Sequence, residues 1–294
     1  MIHMNTITFF LMNEKGFYVL SQVLKCYPSD LIECVIGSED KAVSKDYNLE
    51  IKQLCAAYAI PYHDKSSAVK IKSTYCFLIG WRWLVDVQSH VIVFHDSLLP
   101  KYRGFNPIVT SLINGEKHLG VTALFAADKY DTGDILMQKC IDIEYPITIH
   151  EAINKICPIY FYLVNALIDL LVKGETVVSH PQNALEATYS LWRDELDYKI
   201  NWSQSAVSIK RFIDAVGFPY KGASAYIDTE KVRILSVDVC PDVVIENREP
   251  GKVIFNENEN PVVVCGVGLL KIMSIVSDEG HNKLPLNKFR VRFH

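Results

Sequence analysis

None of the eight cysteines, at positions 26, 34, 55, 76, 140, 157, 240 and 265, stands in a C-x-x-C pair. Most lie in apolar stretches, so they read as buried reduced thiols of a cytosolic chain, not as a disulfide framework. Basic residues are in slight deficit, 30 Lys+Arg against 34 Asp+Glu for a formal charge of −4. That balance gives no support to an electrostatic clamp on nucleic acid. No apolar run approaches the roughly 20 residues of a bilayer-spanning helix. Residues 1–11 carry no Lys or Arg, so they lack the basic flank of a signal peptide and read as a first strand. His63, His90 and His95 are too widely spaced for a helical ligand pair, and no metal is expected. There is no internal repeat and no low-complexity tract.

What remains is ordinary globular composition: 294 residues, 49% hydrophobic and 22% charged, enough for one large domain and a smaller one. Residues 5–12 read as a strand, 13–16 as a turn, 17–26 as a helix, 31–37 as a strand and 47–60 as a helix. Residues 74–79 and 90–94 are continuous apolar runs, the pattern of strands covered on both faces. A helix is expected at 106–113, strands at 120–125 and 135–143, and a long amphipathic helix at 149–172 that Gly174 stops. Strands alternating with helices predict an α/β domain with a mostly parallel sheet. Composition shifts after Gln182. Residues 186–202 read as an aromatic, charged linker, and 203–216 as a helix with a serine N-cap. Short β-like runs follow at 223–227, 232–239, 252–255, 261–265 and 269–275, which suggests a small barrel or open sandwich. The expected divisions are 1–185, 186–202 and 203–294.

Two polar loops interrupt this regularity. A strand ends at Phe94 and runs into His95-Asp96-Ser97-Leu98-Leu99-Pro100-Lys101-Tyr102-Arg103-Gly104. In open α/β sheets, sites form at the carboxyl ends of strands, where this histidine falls. A later strand runs into Tyr130-Asp131-Thr132-Gly133, where the glycine suggests a turn with positive φ. No second Asp-Thr/Ser-Gly exists to make an aspartic-protease pair.

Together the two loops resemble the formyltransferase family that uses 10-formyltetrahydrofolate. The resemblance extends to Gly80-Trp81, to Ile200-Asn201-Trp202 and to residues 218–223, and so covers nearly the whole chain. It implies a Rossmann-like formyltransferase fold followed by a small β-rich, OB-like domain. It also implies transfer of a formyl group from folate N10 to an amine, with the folate as cosubstrate. Such a reaction must deprotonate the amine, stabilise negative charge on the formyl oxygen and protonate the leaving N10. A His95–Asp131 pair suits these demands, the carboxylate orienting the ring and favouring its charged form. Gly80, Trp81, Asp128, Tyr130 and Asp131 are the implied folate contacts.

The chain departs from the family where most members place asparagine, two residues before the histidine. Here that position is Val93, which has no donor. The loss of one oxyanion donor typically costs about 10²–10³ in kcat. Three readings stand. His95 or a backbone N–H near Ser97 carries the charge, Asn106 substitutes, or the chain is a folate-binding homologue with weak or no turnover.

The acceptor is read from length and charge. A glycinamide ribonucleotide enzyme would be shorter. A methionyl-tRNA enzyme needs a basic surface, whereas residues 201–294 hold 12 Lys+Arg against 11 Asp+Glu. Lys283, Lys288, Arg290 and Arg292 do cluster in the tail. The stretches 95–105, 191–202 and 289–293 read like sugar N-formyltransferases, which act on nucleotide-linked amino sugars for bacterial surface polysaccharides such as lipopolysaccharide O-antigen. Ser97, Lys101, Tyr102, Arg103, Phe105, Asn106, Trp192 and Arg193 are the expected substrate contacts. This resemblance implies a homodimer in the bacterial cytoplasm, with a nucleotide-linked amino sugar and a folate as partners. Membrane and nucleic-acid partners are not expected.

Overall fold

The computed structural model describes residues 6–294. The described residues divide into two compact units, one gathering residues 6–108, 117–143 and 151–191, the other 109–116, 144–150 and 192–294.

The first unit begins with β1 (Ile7–Leu11), α1 (Asn13–Cys26), β2 (Ile32–Gly37), α2 (Asn48–Ala57), β3 (Tyr62–Asp64), β4 (Tyr75–Ile79) and β5 (His90–His95). It continues through β6 (Arg103–Gly104), α3 (Pro107–Asn114), β7 (His118–Phe125), β8 (Ile135–Asp142), α4 (Ile149–Lys173) and β9 (Tyr189–Ser190), most of α3 falling in the second unit. Seven strands form one sheet in the order β3-β2-β1-β4-β5-β7-β8. The first five are parallel, and β7 and β8 add antiparallel ladders at one side. β1 lies between β2 and β4 and is buried along its whole length.

The two faces of the sheet have different cover. On one, Phe9, Phe77 and Phe94 pack ring to ring, and Phe94 lies against Tyr160 of α4. Strand alternation sends Phe10, Leu78 and Val93 to the other face. There Phe10, Cys34, Ile36, Cys76 and Leu78 form a separate apolar cluster, and Trp81, Val85, Val87, Val91 and Val93 pack on it. Among the described residues, only α4 is long and apolar enough to cross a membrane. Its Ile156, Tyr160, Leu163, Val164 and Leu167 are buried, as expected of a core helix.

One expectation fails at residues 13–16. They are the first turn of α1, not a turn before it. Gly16 donates to the Met12 carbonyl, and a Cβ on Gly16 would lie 3.0 Å from Leu11 Cβ. Glycine here lets the helix start directly off the strand.

The second unit contains α5 (Ala206–Val216) and strands β10 (Ala223–Ile227), β11 (Glu230–Cys240), β12 (Val253–Glu257), β13 (Asn260–Val264) and β14 (Leu269–Ser277). The cap of α5 is Ser205, whose hydroxyl accepts from Ser208 N at 3.1 Å. The antiparallel sheet runs β10-β11-β14-β13-β12. Its two outer strands are joined by the tail. Tyr226 and His294 exchange both backbone hydrogen bonds at 3.0 Å, Phe293 N donates to Gly251 O, and Val253 N donates to Val291 O. Residues 291–294 thus act as a last stave that closes a small barrel, with Phe293 buried against Trp202.

Candidate active site

His95 ends β5, opposite Thr122 of β7 and one residue beyond the Phe94–Ile79 pair that closes the ladder with β4. Alternation puts it on the same face as Val93. Residues 96–102 then fold back under a dense set of hydrogen bonds. Thr122 Oγ1 donates to Ser97 O at 2.6 Å and accepts from Leu99 N at 3.1 Å. Gln138 Nε2 donates to Leu99 O and Thr122 Oγ1, both at 2.8 Å. Ser97 Oγ donates to Lys101 O at 2.6 Å. The Ser-Leu-Leu-Pro run is therefore held in place by its own hydrogen bonds, and the hydroxyl of Ser97, expected to meet substrate, is buried and used within the loop.

The result is a fixed imidazole. His95 is only 8% exposed. Its Nε2 donates to Tyr102 O at 2.8 Å, and its Nδ1 stands 3.4 Å from Asp131 Oδ1. Both ring nitrogens face acceptors, and only the doubly protonated ring can donate to both at once. Asp131 Oδ2 accepts from Gly104 N at 2.8 Å. The acid loop differs from expectation in one respect. Its left-handed residue is Asp131, with φ 56°, and not Gly133. Gly133 is required for another reason: a Cβ there would overlap the Phe125 carbonyl oxygen.

Asp96 is neither a solvated charge nor a helix cap. It is bound by Lys15 Nζ and by the Tyr160 hydroxyl, which also donates to Phe94 O at 3.2 Å. Burial pushes the Tyr160 hydroxyl well above its ordinary pKa, and the charge and hydrogen bond of Asp96 add to this. The backbone on both sides of His95 is thus pinned from α1 and α4.

Arg103 also departs from its expected role. It is 5% exposed, and its Nε and Nη2 both donate to Gln182 Oε1, at 3.1 and 2.7 Å. A buried guanidinium with two of its nitrogens spent on the half-buried Gln182 amide does not wait for an anionic ligand. Lys101 is exposed, Tyr102 is half-buried with φ 59°, and Asn106 is half-buried with φ 51°. Phe105 and Tyr130 lie 5.7 Å apart, ring to ring, beside the exposed Asp128. Gly80, at φ +66°, follows β4, the neighbour of β5. Trp81 rests edge-on against Phe10, and its Nε1 is buried with no hydrogen-bond partner among the described residues. Val93 offers only methyl groups to the same apolar cluster. Trp192 and Arg193 belong to the second unit, the indole 63% exposed.

Sequence reasoning missed the strap of residues 180–190. His180 pairs with Ile135, Thr188 accepts from both Arg103 N and Tyr102 N, and β9 pairs with β6. Gln182 is its central side chain, donating to Asp131 O at 2.9 Å and Gly133 O at 2.7 Å. Side-chain-to-backbone bonds of this kind leave no periodic trace in sequence. The one available signal was the break in composition near Gln182.

Comparison with known proteins agrees with this geometry. Residues 39–157 match the formyl transferase family, and residues 194–293 match the formyl transferase C-terminal domain. A methionyl-tRNA formyltransferase of Thermodesulfovibrio yellowstonii is 30% identical over 273 residues, 87% of this chain and 86% of the relative. Matches to four further methionyl-tRNA formyltransferases span between 61% and 64% of those proteins. Among solved structures, WlaRD, a sugar 3N-formyltransferase crystallised with dTDP and 5-N-formyl-tetrahydrofolate, superposes with a TM-score of 0.68. It is 20% identical, and the match covers 97% of this chain and 99% of that one. The N-formyltransferase from Helicobacter canadensis, in complex with folinic acid and dTDP-3-aminofucose, gives 0.69 at 20% identity, covering 92% and 98%. Methionyl-tRNA formyltransferase from Clostridium thermocellum gives 0.58 at 19% identity, covering 81% and 94%. With its His95–Asp131 pair set at the end of a mostly parallel sheet, the chain belongs to the formyltransferase family, whose one-carbon donor is 10-formyltetrahydrofolate.

Proposed function

We propose that this chain transfers the formyl group of 10-formyltetrahydrofolate to the amino group of a nucleotide-linked amino sugar in the bacterial cytoplasm. The observation that carries the choice of acceptor is the charge of the second unit. Three of its four clustered basic side chains are already paired: Lys283 with Glu230 at 2.6 Å, Lys288 with Asp228 at 2.7 Å and Arg292 with Glu249 at 3.0 Å. A surface that must displace counterions from tRNA phosphates needs uncompensated cations. The folate reading is supported by the orphaned indole N–H of Trp81, set beside an apolar sheet face, which suits a flat heteroaromatic ring bearing acceptors.

His95 Nε2 donates to Tyr102 O and its Nδ1 faces the Asp131 carboxylate, so positive charge that the ring gains during the reaction is balanced there while the formyl oxygen gains negative charge. This pairing takes over the work of the asparagine that Val93 replaces. Methionyl-tRNA is the competing acceptor, favoured by the sequence relatives. The deciding experiment mixes purified protein and 10-formyltetrahydrofolate with a panel of nucleotide-linked amino sugars and with methionyl-tRNA. Formylated product and tetrahydrofolate are followed by mass. Turnover with a sugar supports the proposal. Turnover confined to methionyl-tRNA, or folate binding with no turnover on any acceptor, refutes it.

A further inference from the structure

Resting on that reading of the reaction, we propose that Gln182 is a positioning residue: locked by Arg103, it holds Asp131 in register with His95. The Gln182 amide nitrogen donates to the carbonyls of Asp131 and Gly133, at 2.9 and 2.7 Å, and so grips the acid loop on both sides of Thr132. Its amide oxygen accepts two bonds from the Arg103 guanidinium. A primary amide presents donors and an acceptor on one planar group, so no other side chain of this length can satisfy all three partners.

The linkage closes on itself. Gly104, next to Arg103 in the chain, donates its N–H to Asp131 Oδ2 at 2.8 Å. The backbone of Asp131 is therefore held through Gln182, and its carboxylate through Gly104, from a single anchored dipeptide. That dipeptide is itself fixed, because Arg103 N donates to Thr188 O at 2.9 Å and β6 pairs with β9.

Asp131 needs such restraint. Its φ of 56° lies in the left-handed region, which a non-glycine residue occupies at a cost unless its surroundings impose it. Without the amide donors the loop relaxes toward ordinary φ, and Asp131 Oδ1 leaves its position 3.4 Å from the ring. The roles expected for Arg103 and Asp131, a ligand contact and the carboxylate that orients His95, thus become parts of one device with Gln182 at its centre.

The test uses the full chain and two variants. Gln182→Leu removes both functions of the amide. Gln182→Glu keeps the acceptor for Arg103 and removes the donors, and it carries the test if the leucine variant does not fold. Turnover is expected to fall about 10²-fold, the scale of a misplacement near 1 Å, with KM for folate and acceptor little changed. On an Asp131→Asn background the same substitution is expected to cost less than about threefold, because residues that act through one another are not additive. A second arm needs no acceptor. The ¹⁵N resonances of His95, assigned by their loss in His95→Asn, are expected to shift in Gln182→Glu as they do in Asp131→Asn. Unmoved His95 resonances, or an equal loss of turnover with and without Asp131, would overturn the proposal. A wild-type chain that formylates no sugar overturns the acceptor assignment instead, and leaves the resonance test standing.

Discussion

Replacing Asp131 by asparagine removes a charge and keeps the shape. Its carboxylate stands 3.4 Å from His95 Nδ1, and both side chains are about nine-tenths buried. At that separation and an effective dielectric near 20, the attraction between a carboxylate and an imidazolium is about 5 kcal/mol. Only the part that grows as the reaction proceeds lowers the barrier. If about half does so, Asp131→Asn lowers kcat by about 10²-fold, since each 1.36 kcal/mol is tenfold. The Gly104 bond survives, because an asparagine oxygen can accept it, so the fold and the KM for folate should change little. Steady-state formation of the formylated acceptor, measured with 10-formyltetrahydrofolate in excess, reads kcat directly. A kcat within about threefold of wild type, in a variant of unchanged thermal stability, would refute the electrostatic role given to this pair.

Other expectations follow from single contacts. Gly104→Ala should destabilise the chain by about 1–3 kcal/mol in urea unfolding, because φ is +99° and a Cβ would lie 2.5 Å from Ser190 O. Val93→Asn should keep or raise turnover while lowering stability by about 1–3 kcal/mol, since the amide would face Leu78 and its apolar neighbours; a large loss of turnover would show a site rebuilt around valine. In the second unit, burial opposes ionisation of Glu195 and Asp278, but Lys231 and Arg233 outweigh it and hold both carboxylates below their ordinary range. Such groups contribute stability above the ordinary values of 4.5 and 3.8, and that share is lost as pH falls through the depressed ones. Arg233→Met should therefore flatten the acid dependence of hydrogen exchange in β11, and an unchanged slope would contradict the assignment.

The sequence disclosed much of this where a residue type had one physical reading. Apolar runs marked β4 and β5, Gly174 marked the end of α4, and a serine cap marked the start of α5, though the helix begins at Ala206 and not at 203. The His95 and Asp131 loops stood out because polar residues followed buried strands. Legibility failed where the deciding contact was distant in sequence. The antiparallel pairing of β7 with β5 was hidden, because a buried strand looks the same in either direction. Arg103 looked like a ligand contact because its partner lies 79 residues away. Gly133 was credited with the turn that Asp131 makes, since a steric demand set by Phe125 is visible only in three dimensions.

The last stave of the second unit has a consequence for association. An open five-stranded sheet would present unpaired N–H and C=O groups along β10 and β12, an invitation to strand addition by another chain. Residues 291–294 pair with Tyr226 of β10 and with Gly251 and Val253 at the entry to β12. A partner of this unit therefore finds less backbone to recruit at β10 and at the entry to β12. Loss of these few residues would convert a self-contained ring into a template with two sticky borders, and would make the protein's solubility depend on its own concentration.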